Sequence, residues 1–138
     1  MDHADQRIDL LDYLLLAESQ TGIAVSVLAG VAKIGLIESA LAAPYAGFGD
    51  VDLYPDFHQR AAILCSRLIR NHPLPDGNKR AAYASMWEFI ALNGHAFDDS
   101  DQDEVADTIE RLAARLVSEE QFIDWVQTRI SPRTGRSR

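Results

Sequence analysis

The sequence predicts an all-α domain of about six helices packed around one buried central helix. Apolar side chains recur at intervals of three and four residues over most of the chain, which is the period of an amphipathic helix. No segment alternates apolar and polar residues over the length that a half-buried strand needs. Residues 81–92 are apolar on nearly every side, which is typical of a helix surrounded by others.

Three helices are predicted in the first part of the chain. The first covers residues 7–19, and Gly22 ends it. The apolar segment 23–41 is expected to form two short helices, because Gly30 and Gly35 interrupt it. The second of them is expected to cover residues 34–43 and to end before Pro44.

Residues 44–54 are expected to form an irregular loop with its own apolar anchors, since glycines and aspartates fall among aromatic residues there. Pro55 is expected to open the next helix, in the first-turn position that proline favours. That helix is predicted to stop within residues 71–73, because proline disfavours helical geometry in the residue before it.

The central helix is predicted to begin near Asn78 and to stop at Gly94. Two amphipathic helices follow, and the last of them carries Ile130 on its apolar face. One domain is therefore predicted over residues 1–130. Residues 131–138 contain three arginines, no acid and nothing to bury, and are expected to be a basic, disordered tail.

The composition argues against several classes of protein. An apolar fraction of 47% and a charged fraction of 25% are ordinary for a soluble globular domain. A net charge of −8 argues against a nucleic-acid-binding protein, whose affinity depends on Lys and Arg. No apolar run approaches a membrane span and neither end resembles a signal peptide, so a cytoplasmic protein without membrane association is expected. Cys65 has no other cysteine to pair with and is expected to be a buried, inert thiol.

The charge is unevenly distributed along the chain. Residues 60–80 contain five basic side chains and one acidic, whereas residues 98–124 contain ten acidic and two basic. Positive potential is therefore expected to concentrate around residues 72–80. The acidic run is interpreted as a solvated helix face.

The segment from residue 71 to residue 80 combines the groups that a phosphate site needs. Gly77 permits backbone conformations closed to other residues, and the helix that begins after it directs unpaired N–H groups into the loop. Lys79 and Arg80 lie in the first helical turn, where each cation opposes the helix dipole by up to about 1 kcal/mol. A bound anion would offset that cost. Asn78 adds a neutral donor.

Asp76 and His72 are the candidates for metal and proton chemistry. One carboxylate beside phosphates is a common protein ligand of Mg²⁺. Histidine can accept a proton from an attacking hydroxyl near neutral pH. Two other interpretations are open. In one, the loop only connects two helices and Asp76 caps the second. In the other, His72 and Asp76 bind a metal from one turn of helix, which Pro73, Pro75 and Gly77 disfavour.

The loop resembles the signature of the Fic/Doc superfamily, and within it that of the death-on-curing (Doc) toxins. The family pattern is His, any residue, Phe, any residue, Asp or Glu, a small residue, Asn, Gly or Lys, and Arg. The matching residues of this chain are His72, Pro73, Leu74, Pro75, Asp76, Gly77, Asn78, Lys79 and Arg80. The likeness covers approximately residues 30–98, with Leu74 in place of the phenylalanine.

The resemblance implies an all-α toxin fold that uses ATP and Mg²⁺ to modify a target protein. By the family's motif, His72 would be the catalytic histidine and Asp76 the carboxylate linked to Mg²⁺. The phosphate-binding residues would be Gly77, Asn78, Lys79 and Arg80.

Lys79 bears on the type of reaction. Members that transfer AMP have glycine at this position and a second arginine where this chain has Tyr83. The Doc branch has lysine, transfers the terminal phosphate to a translation elongation factor, and is silenced by a small antitoxin. The resemblance therefore favours an Mg–ATP-dependent phosphotransferase with a protein substrate and an antitoxin partner. A protein nucleotidylyltransferase and a catalytically silent binding protein are the alternatives.

Overall fold

The computed structural model describes residues 5–133 as seven α-helices, one short 3-10 helix and two small antiparallel sheets. The α-helices are α1 (Leu10–Thr21), α2 (Val25–Val31), α3 (Ile34–Ala42), α4 (Phe57–Asn71), α5 (Asn78–Leu92), α6 (Gln102–Ala113) and α7 (Glu119–Arg129). The 3-10 helix is Ala43–Tyr45, and the strands are β1 (Gly47–Phe48), β2 (Val51–Asp52), β3 (His95–Phe97) and β4 (Ile130–Pro132). The all-α prediction is confirmed.

Two helices share the buried centre. The predicted central helix is α5, which packs against α1, α4, α6 and β3. Helix α4 packs against α3, α5, α6 and α7, and most of its side chains are buried. Burial of this much apolar surface is the main favourable term in holding the helices together. Residues 72–77 connect the end of α4 to the start of α5, so both ends of this segment are held by buried helices.

The break between α2 and α3 does not lie at a glycine. Gly30 lies within α2 and Gly35 within α3, and the chain bends at Ala32 and Lys33 instead. There the Lys33 backbone N–H donates to the carbonyl oxygen of Pro73 at 2.9 Å. A tertiary hydrogen bond, which no local pattern predicts, therefore fixes the bend. It also ties the α2–α3 turn to the segment that follows α4.

Residues 44–54 are more regular than predicted, because β1 and β2 form a hairpin there. Phe48 is 81% exposed, so the expectation that it anchors the loop is wrong. Pro55 does not open α4. It precedes Asp56, the N-cap residue, whose backbone N–H donates to the Gln59 side-chain oxygen at 2.9 Å. An aspartate can satisfy free N–H groups at the cap, which displaces the helix start by two residues.

The last helix ends one residue before Ile130, which begins β4 instead of continuing α7. Strand β4 pairs with β3, with Ala96 opposite Ser131, and the Arg133 N–H donates to the Gly94 carbonyl at 2.9 Å. The predicted tail is therefore wrong for residues 131–133, whose backbone is paired. Residues 1–4 and 134–138 lie outside the described residues.

Within residues 5–133, no single helix is long and apolar enough to cross a membrane. Helices α1 and α2 meet that test of length and composition only when taken together, and they are bent by 111° at the break between them.

Candidate active site

His72 ends α4 in a left-handed backbone conformation, with φ 49° and ψ 55°. Residues with a Cβ rarely adopt this conformation, and they keep it only where the surrounding structure imposes it. Pro73 contributes, because a residue before proline avoids right-handed helical geometry. On the other side, the Asn71 side-chain amide donates to the Leu36 carbonyl at 2.9 Å. The chain therefore leaves α4 abruptly, with His72 exposed.

The inner side of the loop is anchored in the core. Pro73 is fully buried and Leu74 is 3% exposed. The Leu74 N–H donates to the Asn78 side-chain oxygen at 2.9 Å, and the Asn78 side-chain amide donates to the Leu74 carbonyl at 3.0 Å. These two bonds close a ring across the turn. Leu74 thus performs the anchoring expected of the family's phenylalanine.

This ring corrects the predicted role of the Asn78 side chain. The side chain is almost completely buried and bonds to the backbone of Leu74, so it holds the loop in shape instead of facing a ligand. Its polar atoms could not remain unpaired in the core without a free-energy cost. The side chain is therefore occupied within the loop, and the donor that Asn78 retains is its backbone N–H at the start of α5.

Helix α5 begins without a side-chain cap. Its N-cap residue is Gly77, with φ 77° and ψ 20°, and the first bond within the helix runs from the Ala81 N–H to the Gly77 carbonyl at 2.9 Å. The N–H groups of Asn78, Lys79 and Arg80 therefore have no partner within the helix. Free N–H groups at the positive end of a helix dipole are a common anion-binding arrangement in proteins.

Asp76 supports neither of the alternative interpretations. It is exposed and does not cap α5, because Gly77 occupies that position without a side-chain hydrogen bond. The capping role that the first alternative gives to Asp76 is therefore wrong. Residues 72–77 are not helical, so His72 and Asp76 do not bind a metal from one turn of helix.

All six predicted site residues line one cleft of about 400 Å³, here called the first cleft. Its lining residues are Ile69, His72, Pro75, Asp76, Gly77, Asn78, Lys79, Arg80 and Ala113. The sequence reasoning missed Ile69 and Ala113, which form the apolar side of the cleft. Ile69 was recognisable only as part of the apolar pattern of α4. Ala113 comes from α6, and no spacing in the sequence brings α6 to the loop.

Lys79 reaches across to α6. Its ammonium lies 3.0 Å from a carboxylate oxygen of Glu110, and the two side chains are 46% and 65% exposed. An exposed ion pair of this kind contributes under about 1 kcal/mol, so a phosphate entering the first cleft can displace Glu110. One member of the acidic run thus faces the site and not only solvent.

The residues present fit a magnesium ion that arrives with a nucleotide better than a resident metal. Within the described part of the chain, no three His, Cys, Asp or Glu side chains converge where they could hold a metal ion. Asp76 is the single carboxylate among the residues that line the first cleft. Mg²⁺ commonly takes one or two protein carboxylates and completes its shell with phosphate oxygens and water.

Comparison with known proteins agrees with this geometry. The model of the Fic/DOC family matches residues 7–90, which include the whole loop. The chain belongs to the Fic/DOC family. A curated protein named Toxin Doc, from Mycolicibacterium smegmatis (strain ATCC 700084 / mc(2)155), is 42% identical over 86 residues. The matched region is 62% of this chain and 66% of that protein, so it spans just under two thirds of the relative's length. No solved structure gives a significant match.

Two other reactive groups of this Fic/DOC chain lie away from the first cleft. Burial raises the pKa of the Cys65 thiol, which is fully enclosed and cannot act as a nucleophile. Burial also raises the pKa of Tyr83, as does Asp99, whose carboxylate accepts a bond from the tyrosine hydroxyl at 3.4 Å. The Tyr83 hydroxyl therefore adds no cation and no base to the site.

Proposed function

We propose that this chain is a Doc-type toxin that transfers the terminal phosphate of ATP to a hydroxyl of a target protein. The observation that carries the proposal is the first cleft, where His72, Asp76 and an uncapped helix N-terminus come together with Lys79. The name of the 42% identical relative supports the assignment as a toxin. By family resemblance, the target is a translation factor and the toxin is silenced by a small antitoxin.

In this proposal each group of the first cleft has one role. The phosphate oxygens accept hydrogen bonds from the backbone N–H groups of residues 78–80 and from the Arg80 guanidinium. The Lys79 ammonium leaves the Glu110 carboxylate and binds a phosphate oxygen instead. Asp76 would hold Mg²⁺, which supplies charge neutralisation to the phosphates when it is bound.

His72 acts as the base. The oxygen of the acceptor hydroxyl forms a bond to the γ-phosphorus while the bond from that phosphorus to the bridging oxygen breaks. The bridging oxygen leaves with ADP, and the hydroxyl proton passes to a ring nitrogen of His72. Exposure of the imidazole at the rim of the cleft leaves room for an acceptor to approach.

A shallow groove of about 260 Å³ adjoins the first cleft on the side away from His72, and we call it the side groove. It shares Lys79 and Arg80 with the first cleft and is lined further by the apolar residues Val105 and Ile109. Apolar walls suit a nucleoside. A nucleotide with its nucleoside there would have its terminal phosphate nearest His72, as phosphoryl transfer requires.

Nucleotidyl transfer is the second candidate. One observation favours it: the Lys79 ammonium pairs with Glu110 on α6. This ion pair holds the lysine charge at the edge of the first cleft, away from the backbone N–H groups at the start of α5. In that reaction, the α-phosphate would lie next to His72.

Labelled ATP separates the two reactions. The purified protein is incubated with Mg²⁺ and cell extract, with ³²P in either the α or the γ position of ATP. Label on an extract protein from the γ position alone supports the proposed phosphotransferase. Label from the α position refutes it in favour of nucleotidyl transfer, and label from neither position refutes both.

Variants connect the labelling to the site. His72→Ala should lower labelling by about 10²- to 10⁴-fold and abolish growth arrest when the protein is expressed. His58→Ala is the matched control, because His58 lies on the same helix but does not line the cleft, and it should label normally. Equal labelling by both variants would remove His72 from the mechanism.

A further inference from the structure

A second cleft of about 390 Å³ lies beside the first and shares Ile69, His72 and Ala113 with it. Its other lining residues come from α4, from the end of α6 with the turn after it, and from the start of α7. They are Ser66, Arg70, Leu112, Arg115, Val117, Ser118 and Glu119. His72 therefore stands at the junction of the two clefts and can contact what either one binds.

Two left-handed residues at helix ends contribute to the lining of the second cleft. Among residues 5–133, the non-glycine residues with positive φ are His72, at 49°, and Arg115, at 62°, and both line the second cleft. Both residues follow the end of a helix, where a left-handed residue is common, and the Leu116 N–H completes the end of α6 by donating to the Arg111 carbonyl at 2.8 Å. Each sharp turn sets the direction in which the side chain leaves its helix. The Arg115 backbone is fixed by a hydrogen bond from its N–H to the Leu112 carbonyl at 3.1 Å.

The second cleft carries a surplus of positive charge. Glu119 is already neutralised, because it accepts hydrogen bonds from Arg67 at 2.8 Å and from the Ser66 hydroxyl at 2.6 Å. Arg70 lies farther away, with a guanidinium nitrogen 3.4 Å from Glu119, and its side chain is 46% exposed. Arg115 is exposed and has no ion pair within the described part of the chain. Arg67 and Arg70 thus face the single carboxylate of Glu119, and Arg115 adds a further positive charge to the lining of the second cleft, in a chain whose net charge is −8.

We propose that the second cleft binds an acidic segment of the acceptor protein next to the hydroxyl that is modified, with Arg70 and Arg115 pairing with its carboxylates. Guanidinium groups bind carboxylates through two parallel hydrogen bonds, which fix orientation as well as position. The segment would then present its hydroxyl to His72 at the junction of the clefts. This inference rests on the proposed function, because it assumes that His72 activates an acceptor.

In-line transfer assigns the second cleft to the acceptor and not to the nucleoside. The attacking and leaving oxygens lie on opposite sides of the transferred phosphorus. With phosphates in the first cleft and the nucleoside in the side groove, we expect the acceptor to approach through the second cleft, which also contains His72 but shares no lining residue with the side groove. The second cleft adjoins the first cleft, and the first cleft adjoins the side groove, because each of these pairs shares lining residues.

Peptide binding tests the inference without requiring turnover. The probes are short fluorescein-labelled peptides with a central threonine flanked on both sides by Glu, by Gln or by Lys, and the readout is fluorescence anisotropy with the full chain. The Glu-flanked peptide should bind about tenfold more tightly than the Gln-flanked peptide, with the Lys-flanked peptide weakest. The double variant Arg70→Gln with Arg115→Gln should remove this preference.

The matched control is the double variant Arg111→Gln with Arg133→Gln, which loses the same charge from exposed positions outside the cleft and should keep the preference. Equal binding of the three peptides, no binding, or equal loss in both double variants would overturn the inference. Calorimetry with Mg–ATP supplies a further check, because an equally large loss of ATP affinity in the Arg70 and Arg115 variant would assign the cleft to the nucleotide. Peptide preference without transfer of γ-label would refute the proposed function and leave the acidic-segment site standing.

Discussion

Replacing Gly77 by alanine tests the backbone geometry on which the anion site depends. Gly77 has φ 77°, and a Cβ added there would lie 2.5 Å from the Thr21 methyl carbon and 3.2 Å from an Arg80 guanidinium nitrogen. The exposed Arg80 side chain can move aside. Thr21 cannot move as easily, because its hydroxyl donates to the Ala17 carbonyl at 2.8 Å and accepts from the Ile23 N–H at 3.1 Å.

The expected loss of stability has two parts. An alanine in a left-handed backbone conformation costs roughly 1–2 kcal/mol. Rotating the Thr21 methyl away from the new Cβ breaks two hydrogen bonds, each with a net contribution of roughly 0.5–1.5 kcal/mol. The free energy of unfolding of Gly77→Ala should therefore fall by about 2–5 kcal/mol. Transfer of γ-label should also fall, since the first turn of α5 must shift.

Urea unfolding followed by circular dichroism measures the change, and two controls separate its parts. Gly94 has φ 79° and nothing within 4 Å of an added Cβ, so Gly94→Ala should show the backbone cost alone. Thr21→Ser keeps the hydroxyl and removes the methyl. In that background, Gly77→Ala should cost no more than Gly94→Ala, and the difference is the coupling energy of the contact.

Two results would refute this reasoning. If Gly77→Ala and Gly94→Ala destabilise the protein equally, then the close approach of Thr21 does not constrain the loop. If Thr21→Ser leaves the cost of Gly77→Ala unchanged, then the extra cost has another origin. In either case the conclusion that α1 supports the loop through Thr21 would have to be abandoned.

Three further predictions concern single residues. Asp76→Asn should reduce Mg²⁺-dependent transfer of label while the melting temperature stays within about 2 °C, because Asp76 is exposed; equal activity would remove it from the site. Burial alone would raise the pKa of Glu119, but hydrogen bonds from its arginine and serine neighbours outweigh burial and lower it below the ordinary 4.5. The stability that the ionised Glu119 contributes is therefore present above about pH 4.5 and is lost as the pH falls further. The difference in unfolding free energy between the unaltered protein and Glu119→Gln should shrink from pH 7 to pH 3. A difference that stays constant would contradict this prediction. Arg115→Gly should raise the free energy of unfolding by roughly 1 kcal/mol, because glycine tolerates φ 62° better than arginine does. The same variant should bind the Glu-flanked peptide more weakly. A lower free energy of unfolding would indicate that the Arg115 side chain contributes to folding.

The elements that the sequence predicted well are those controlled by local chemistry. The end of α4 and the start of α5 follow from Pro73 and Gly77, whose backbone preferences do not depend on the rest of the fold. The apolar face of α5 needs only the helical period to be recognised. The same local chemistry located the six candidate residues of the first cleft, because they lie within nine positions of one another.

The elements that the sequence did not predict depend on contacts between distant segments. Ile130 has an apolar side chain that suits α7, but pairing of β4 with β3 takes it out of the helix. The buried bond between the Asn78 side chain and Leu74 depends on how deeply the loop sits between α4 and α5. The second cleft could not be predicted at all, since Arg70 and Arg115 are brought together only by the packing of α6 beside α4.

The N-terminus of α5 differs from those of the other long helices. The other helices of more than ten residues in residues 5–133 are α1, α4, α6 and α7, and each has an aspartate or serine as its N-cap residue. Helix α5 has Gly77 there, followed by two cations and no acid in the first turn. Its N-terminus is therefore less stable than those of the other helices by about 1–2 kcal/mol, summed over the missing cap and the unfavourable charges. The phosphate of the proposed function would supply both the missing acceptor and the missing negative charge, so the groups that weaken the free helix would strengthen the bound one.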